Sequence, residues 1–374
     1  MRRSTACSLP IRSRTAADTP AVEGMSRTAV PRIHRVWYGG SRWWWLLAPL
    51  SWIFAAVVTI RRGLYRWRIL ASGKPDVPVI VVGNLTAGGT GKTPVTIWLA
   101  ERLQQEGFKP GIVTRGYRGA VGPKPVAATA DSDPAIVGDE AIVLARRTGC
   151  VVCVHPDRRA AAELAAAQGV DTLVSDDGLQ HYALARDFEI AIVDGARGFG
   201  NLRYLPAGPM REPVSRLAEV DAVLLHRHGE GGDDVPGRRR SSDRKALRFS
   251  LELRSVSRID GAEQKPIGDL AGKRMHAIAA IGNPERFFVA LESYGIDVIR
   301  HPLPDHAEIT HADLDYDDEL DVIMTEKDAA KCRWLDTSNC WVVPVEVVFD
   351  DQDGERLLES LLLEIGDAPV SAQA

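Results

Sequence analysis

The sequence predicts an α/β protein with a doubly wound, mainly parallel sheet, a second, smaller α/β domain and an N-terminal membrane-associated helix. The first observation is an apolar, β-branched run, Val79–Val82, that leads into a glycine-rich turn and then a helical pattern. The second is the alternation of strand-like and helical segments after that turn, which favours parallel strands joined by right-handed crossovers. The third is an uncharged stretch with helical periodicity, Trp43–Ile60, ahead of the sheet.

The residues between the first strand and its helix predict a phosphate-binding loop, and with it a P-loop NTPase-like fold. Glycines let backbone N–H groups crowd around an anion, and the helix start adds its positive dipole end. We expect Lys92 to reach the β- and γ-phosphates and Thr93 to bind Mg²⁺. Thr86 stands where the usual pattern has glycine, so an ordinary strand-to-helix turn with a surface lysine is the alternative. The predicted nucleotide-binding residues are Thr86, Ala87, Gly88, Gly89, Thr90, Gly91, Lys92 and Thr93.

Length and composition are those of a globular protein. The 374 residues are enough for two domains, and 45% apolar and 26% charged residues are ordinary values. The formal net charge of -4 argues against a general nucleic-acid binder. We therefore expect no nucleic-acid partner, and no pattern in the chain indicates an obligate protein partner.

The pattern divides the chain into six segments. The first is rich in Arg, Ser, Thr, Ala and Pro without apolar periodicity, which is typical of a disordered extension or of a start codon assigned upstream of Met25. The predicted segments are a disordered extension (1–35), a membrane-associated apolar helix region (36–70), a P-loop core (71–228), a charged linker or loop (229–248), a smaller C-terminal α/β domain (249–366) and a tail (367–374).

The apolar stretch Trp43–Ile60 has three possible interpretations. It is slightly shorter than the roughly 20 residues that a spanning helix needs. Its clustered tryptophans and the flanking Arg42, Arg61 and Arg62 suit the membrane interface. A helix lying in the interface is therefore favoured over a single span or a buried core helix.

Several polar residues follow predicted strands at the sheet edge where ligands bind in doubly wound folds. Asp176 and Asp177 are placed to hold a Mg²⁺ ion, although adjacent acids at a strand end can also cap a helix. Asp139 and His306 are candidates to accept a proton from an alcohol, with a helix cap and an ordinary histidine as the alternatives. The arginines that could meet an anionic substrate are Arg115, Arg118, Arg203 and Arg211.

Seven ordered motifs together carry a family resemblance. They are GNLTAGGTGKTP, VTRGYRG, VGDE, SDDGLQH, LPAGPMREP, PDH and MTEKDAAK. This combination resembles the tetraacyldisaccharide 4'-kinase (lipid A 4'-kinase) family of Gram-negative bacteria, over about Trp43 to Val348. That family's phosphate loop also lacks the strict first glycine, so Thr86 is no objection.

The resemblance implies an enzyme that uses ATP and Mg²⁺ to phosphorylate the 4'-hydroxyl of a tetraacyl disaccharide 1-phosphate, a lipid A precursor. It implies a location at the cytoplasmic face of the inner membrane, held by the N-terminal apolar helix. It maps a proton-accepting pair onto Asp139 and His306 and metal-side acids onto Asp176 and Asp177. A second histidine that the family usually has is Ala307 here. The substrate side of the cleft would hold Arg115, Tyr117, Gln180, His181, Arg211 and Glu212.

Two other functions compete with the kinase. A membrane-associated P-loop ATPase switch of the positioning type usually has a second lysine early in the loop, where this chain has Ala87. A metallochaperone-type GTPase would need an Asn-Lys-x-Asp base-reading motif, which residues 325–328, Thr-Glu-Lys-Asp, match only in part.

Overall fold

The computed structural model describes residues 32–228, 246–332 and 335–366. The predicted extension and linker lie almost wholly outside these ranges, and the tail lies entirely outside them. The helices are α1 (Arg32–Trp37), α2 (Trp44–Arg66), α3 (Lys92–Gln105), α4 (Pro134–Val137), α5 (Asp139–Thr148), α6 (Arg158–Ala166), α7 (Pro284–Ser293), α8 (His311–Leu314), α9 (Glu326–Ala329) and α10 (Asp353–Ile365). The strands are β1 (Val79–Asn84), β2 (Pro110–Thr114), β3 (Val126–Ala128), β4 (Val151–Val154), β5 (Thr172–Asp176), β6 (Phe188–Asp194), β7 (Ala222–His226), β8 (Leu247–Glu252), β9 (Ser255–Arg258), β10 (Gln264–Pro266), β11 (Arg274–Ala279), β12 (Asp297–Pro302), β13 (Val322–Thr325), β14 (Cys340–Val343) and β15 (Glu346–Phe349).

The first sheet is doubly wound, as predicted. Its strand order is β15-β8-β7-β6-β1-β5-β2-β4-β3, and only the edge strands β3 and β15 run antiparallel to their neighbours. Alternate residues of the fully buried β1 enter two different cores. Val79 and Val81 pack with the alanines of α6, whereas Ile80 and Val82 pack with α3 and α10. A strand covered on both faces explains its unbroken β-branched sequence.

The second sheet forms the smaller unit. Its order is β10-β9-β14-β13-β11-β12, with four parallel strands and an antiparallel pair at one edge. The largest fully buried side chain of this unit is Trp341, and Phe288 of α7 packs into the same core. The prediction of a second, smaller α/β unit is confirmed.

The chain returns to the first sheet twice after residue 246. β8 pairs with β7, and β15 pairs with β8, so the predicted boundary at 248/249 falls inside a strand of the first sheet. The predicted boundary placed these segments in the smaller domain because their alternation alone does not say which sheet they join. We propose to count β8, β15 and α10 with the first unit.

The helix α2 lies on the surface of the first unit. It has 23 residues and is the one described helix long and apolar enough to cross a membrane. Only Ala48 and Ser51 are buried along its whole length, so it is not a core helix. Large apolar side chains cover its outer face: Trp45, Leu46, Leu50, Trp52, Ile53, Val57 and Ile60.

We expect Phe249→Ala to destabilise the first unit strongly. Phe249 is fully buried in β8 and its ring packs against Phe349 of β15 and His226 of β7. Removing a buried phenylalanine ring leaves a cavity that costs about 3–5 kcal/mol. Chemical denaturation should show this loss, and Leu363→Ala, at an exposed position of α10, should not. Equal stability of the two variants would contradict the assignment of β8 and β15 to this core.

Candidate active site

The phosphate loop joins the end of β1 to the start of α3. Gly88 and Gly91 have φ angles of 117° and 92°, a backbone region that favours glycine. The Asn84 side chain donates to Thr90 Oγ1 at 3.0 Å and ties the two ends of the loop together. The N–H of Ala87 donates to the carbonyl of Pro209 at 2.8 Å. These contacts and the two glycine conformations fix the shape of the loop between β1 and α3.

Two carboxylates stand beside the loop at the end of β5. Asp176 is buried, and the hydroxyl of Thr96 donates to its Oδ1 at 3.1 Å. Asp177 follows with a φ of 50°. Its carboxylate lies 3.7 Å from Lys92 Nζ and accepts from Arg211 Nη1 at 3.0 Å to each oxygen.

These neighbours push the pKa values of the two acids in opposite directions. Burial, with the charges of Glu140 and Asp177, raises the pKa of Asp176 to about 6. Burial also acts to raise the pKa of Asp177, but the charges of Lys92 and Arg211 outweigh it and lower that pKa below its usual value. The two carboxylates at this edge of the sheet thus carry more negative charge than Lys92 alone neutralises.

The candidate proton acceptors meet across the cleft between the two units. Asp139, the first residue of α5, is buried, and its Oδ2 lies 3.0 Å from His306 Nδ1. His306 belongs to the smaller unit and has a φ of 62°. Arg118 donates to the carbonyl of Asp305 at 3.2 Å, and the Tyr117 ring lies 5.7 Å from that of His306. The structure thus brings together two residues that are 167 positions apart.

Most of the candidate substrate residues line the same edge. Gln180 donates to the carbonyl of Asn84 at 3.0 Å and accepts from Arg211 at 3.3 Å. Burial and the charges of Arg158 and Arg115 lower the pKa of His181 to about 4, so this ring is neutral at pH 7. Glu212 is buried, 3.4 Å from Arg216, behind the site.

Two predicted residues have different neighbours from those expected. Arg203 does not reach the cleft: its guanidinium stacks on the Trp44 ring of α2, 3.3 Å from the ring centroid. Thr93, predicted on the metal side, donates to none of the described side chains, whereas Thr96 binds Asp176. Both threonines face one side of α3, and the register of the helix on the sheet decides which of them reaches β5.

Three residues of the site were missed from the sequence. Glu140 follows Asp139 and accepts from Lys327 Nζ of the smaller unit at 2.5 Å. Arg158 is buried, and its Nη2 donates to the Asp176 carbonyl at 2.8 Å. The motifs VGDE and MTEKDAAK contain two of these residues, but only tertiary contact gives them a place in the site.

A chain of polar contacts, called the relay below, supports the loop from the other side. Arg286 of the smaller unit donates to His228 Nδ1 at 3.0 Å, and His228 Nε2 lies 3.1 Å from Asp194. Asp194 also holds Arg197 at 2.8 Å, and Arg197 donates to the carbonyl of Gly89. His226 is a third possible metal ligand beside Asp194 and His228. However, Asp194 Oδ1 already accepts from two backbone amides, and the guanidinium groups of Arg197 and Arg286 lie next to this cluster. The cluster fits a relay and not a metal centre.

Comparison with known proteins decides the family. The family model described as tetraacyldisaccharide-1-P 4'-kinase matches residues 43–363. The chain belongs to this family. It is 44% identical to the tetraacyldisaccharide 4'-kinase of Nitrosococcus oceani, over 88% of this chain and 94% of the relative. It is 48% identical to that of Halorhodospira halophila, over 80% of this chain and 88% of the relative.

A solved structure agrees with the family. The crystal structure of LpxK from Aquifex aeolicus in complex with ATP superposes with a TM-score of 0.74 at 25% identity, covering 86% of this chain and 99% of that one. The sequence resemblance is therefore confirmed, and the chain is a tetraacyldisaccharide 4'-kinase of lipid A biosynthesis. The GTPase alternative also fails in the structure, because Asp328 is buried within its own unit and cannot read a base.

We expect Asp176→Asn to raise thermal stability in metal-free buffer while removing kinase activity. The raised pKa means that ionising Asp176 at pH 7 opposes folding, by about 3 kcal/mol for a shift of this size. Asparagine removes the charge and keeps an oxygen for the Thr96 hydroxyl. A melting curve at pH 7 with chelator should move upward, whereas an unchanged or lower midpoint would contradict the charge excess at this edge.

Proposed function

We propose that this kinase takes the phosphate from ATP with the help of Mg²⁺ and transfers it at the cytoplasmic surface of the inner membrane. The observation that carries the proposal is the position of the glycine loop and Lys92 directly beside the buried carboxylate of Asp176 and the half-buried carboxylate of Asp177. A loop of this kind binds the phosphates of a nucleotide through its amides and its lysine. The relative from Aquifex aeolicus, whose structure is described as a complex with ATP, supports the choice of nucleotide.

The donor set fits Mg²⁺. Carboxylate oxygens are the ligands that this small cation prefers. The charge of Glu140 helps to raise the pKa of Asp176, and a divalent cation between the two carboxylates would relieve this repulsion. Asp177 is paired with two cations, Lys92 and Arg211, and Arg211 binds both of its oxygens, whereas Lys327 binds Glu140 through one oxygen. We therefore assign the ion to Asp176 and Glu140, with Thr93 at the helix start. When bound, Mg²⁺ would neutralise charge on the phosphate oxygens during transfer.

The Asp139–His306 pair would accept the proton of the 4'-hydroxyl. Asp139 Oδ1 accepts from the N–H of Glu140 at 2.8 Å, and His306 holds Oδ2, so the carboxylate has one fixed orientation. A fixed acceptor close to the hydroxyl supplies general base catalysis, and Lys92 stabilises charge on the transferred phosphoryl group. Because His306 comes from the smaller unit, closing the cleft would complete the pair and exclude water.

The contacts of α2 support a helix that lies in the membrane interface and does not cross the bilayer. Its 23 residues extend about 35 Å, and the first unit contacts it from end to end. Arg203 stacks on Trp44, Ser51 Oγ donates to the Tyr204 carbonyl at 2.7 Å, and Tyr65 lies 5.8 Å from the ring of Tyr182. A spanning orientation would carry these polar segments into the hydrocarbon, where unsatisfied groups are costly.

The direct test is incubation with labelled ATP and a tetraacyl disaccharide 1-phosphate, followed by the mass of the product and the position of the new phosphate. Transfer to the 4'-hydroxyl, dependent on Mg²⁺, is expected. Hydrolysis of ATP without a phosphorylated lipid would contradict the proposal.

We expect Lys92→Ala to lower kcat by about 100-fold or more, because the lysine acts on charge that develops during transfer. Membrane attachment should not change, since Lys92 is remote in sequence and contact from α2. Lys109→Ala, at an exposed position before β2, is the matched control and should retain activity. Turnover retained in Lys92→Ala would remove the loop from the mechanism.

We expect the double substitution Trp52→Glu and Ile53→Glu to release the protein from membranes without unfolding it. Both side chains are largely exposed, so the fold does not depend on them, whereas burial in lipid would stabilise each by about 1.5–3 kcal/mol. Vesicle co-sedimentation should fall at least about tenfold. Activity should drop on the acylated substrate in vesicles and not on a deacylated, water-soluble disaccharide 1-phosphate. Equal loss on both substrates would mean that the face is structural.

A further inference from the structure

Charged pairs connect the two units along α5 and α9. Lys327 donates to Glu140 at 2.5 Å, and Arg147 donates to Glu326 at 2.9 Å. The two pairs run in opposite directions, because the first unit supplies the acid of one pair and the base of the other. They nevertheless have different surroundings. Arg147 lies at the far end of α5, near Glu101, whereas Glu140 lies at the start of α5, beside Asp139 and close to Asp176.

The short helix that carries Lys327 is firmly anchored in the smaller unit. Thr325 caps it by accepting from the N–H of Asp328 at 3.3 Å and donating to the Asp328 carboxylate at 2.7 Å. Asp328 is fully buried, accepts from the N–H of Ala280 at 3.2 Å and pairs with Lys331 at 2.9 Å. The carbonyl of Ala280 in turn accepts from the N–H of His306 at 2.9 Å. One anchor at the end of β11 therefore fixes Lys327 and His306 relative to each other within the smaller unit.

The surroundings of Lys327 are those of a cation. Its ammonium group binds Glu140, and the carboxylates of Asp139 and Asp176 are the next charges that act on it. Burial acts to lower the pKa of Lys327, but the charges of these three acids outweigh it and raise that pKa above its usual value. The lysine therefore stays charged and lies at the rim of the carboxylates to which the metal ion is assigned.

We propose that Lys327 is a positioning residue that holds Glu140 and supplies the positive charge of this carboxylate cluster until a divalent cation binds. The proposal rests on the proposed metal site. Lys327 holds Oε1 of Glu140 and leaves its other oxygen for a metal ion, but the charge of the nearby ammonium group repels a divalent ion on the same carboxylate, so each cation weakens the binding of the other. Metal binding is thereby linked to the contact between α5 and α9, and closure of the cleft becomes sensitive to the metal–nucleotide complex.

The proposal predicts that removing Lys327 increases the affinity for metal, whereas general destabilisation of the site would decrease it. Removing Lys327 leaves Glu140 unpaired beside Asp176, so a divalent cation gains their full attraction. In the full-length Lys327→Met protein, the Mg²⁺ concentration for half-maximal ATP binding should fall by about tenfold. Binding of ATP without metal should weaken, because a positive charge near the phosphates has been lost. Both are measured by calorimetric titration in detergent.

Matched variants separate this effect from loss of an interface contact. Arg147→Met removes the other charged pair between the same two helices and should leave the Mg²⁺ dependence at the wild-type value. Lys327→Arg should restore it, because the charge is kept. In the background of Glu140→Gln, Lys327→Met should change Mg²⁺ affinity by much less than in the wild-type protein, because the two substitutions share the Glu140 carboxylate.

An unchanged or weakened Mg²⁺ affinity in Lys327→Met would overturn the proposal, as would an equal shift in Arg147→Met. These results differ from a failure of the proposed function, which the wild-type protein alone reveals. If its ATP binding did not depend on Mg²⁺ at all, the metal site itself would be wrong.

Discussion

The structure depends on one electrostatic constraint: four carboxylates, Asp139, Glu140, Asp176 and Asp177, are gathered at one edge of the first sheet. Their repulsion has to be offset by cations, and each cation comes from a different part of the chain. Lys92 comes from the start of α3, Arg211 from the loop between β6 and β7, Arg158 from α6 and Lys327 from the smaller unit. The site therefore forms only when four elements fold around it: α3, α6, the 203–211 loop and α9.

The smaller unit contributes polar side chains to both sides of the cleft. On one flank it supplies His306 and Lys327, both anchored at Ala280, to residues of α5. On the other flank Arg286 begins the relay through His228 and Asp194 that ends at the phosphate loop. Because the smaller unit makes contacts on both flanks, a movement of this unit would shift both the phosphate loop and the carboxylates. A site arranged in this way is complete only when the cleft is closed, which limits the access of water to the phosphate.

The apolar helix α2 is joined to the same site by short connections. After α2 ends, Ser72 donates to the carbonyl of Tyr182 at 2.6 Å, and Gly73 exchanges backbone hydrogen bonds with Ala183 and Ala185. The residues that these bonds contact, 182–185, directly follow the Asp176–His181 motif. A groove of about 470 Å³ lies along the last turns of α2, lined by Val58, Thr59, Arg62, Gly63, Arg66, Trp67 and Pro213. An exposed apolar helix that connects to the loop after β5 suits an enzyme of lipid A biosynthesis.

The sequence by itself determined what depends on neighbouring residues. The β-branched run, the glycines and Lys92 are contiguous, so the loop, its strand and its helix follow from local rules, and Asp176 follows a strand for the same reason. The family motifs identified Asp139 and His306 as a pair, which no local sequence pattern could have predicted. Only the tertiary structure decided which sheet β8 and β15 join, that Arg203 stacks on Trp44, that Thr96 reaches Asp176, and that Lys327 meets Glu140. Each of these joins residues brought together by strand order, helix register or the docking of two units, and such contacts are set by packing over the whole molecule.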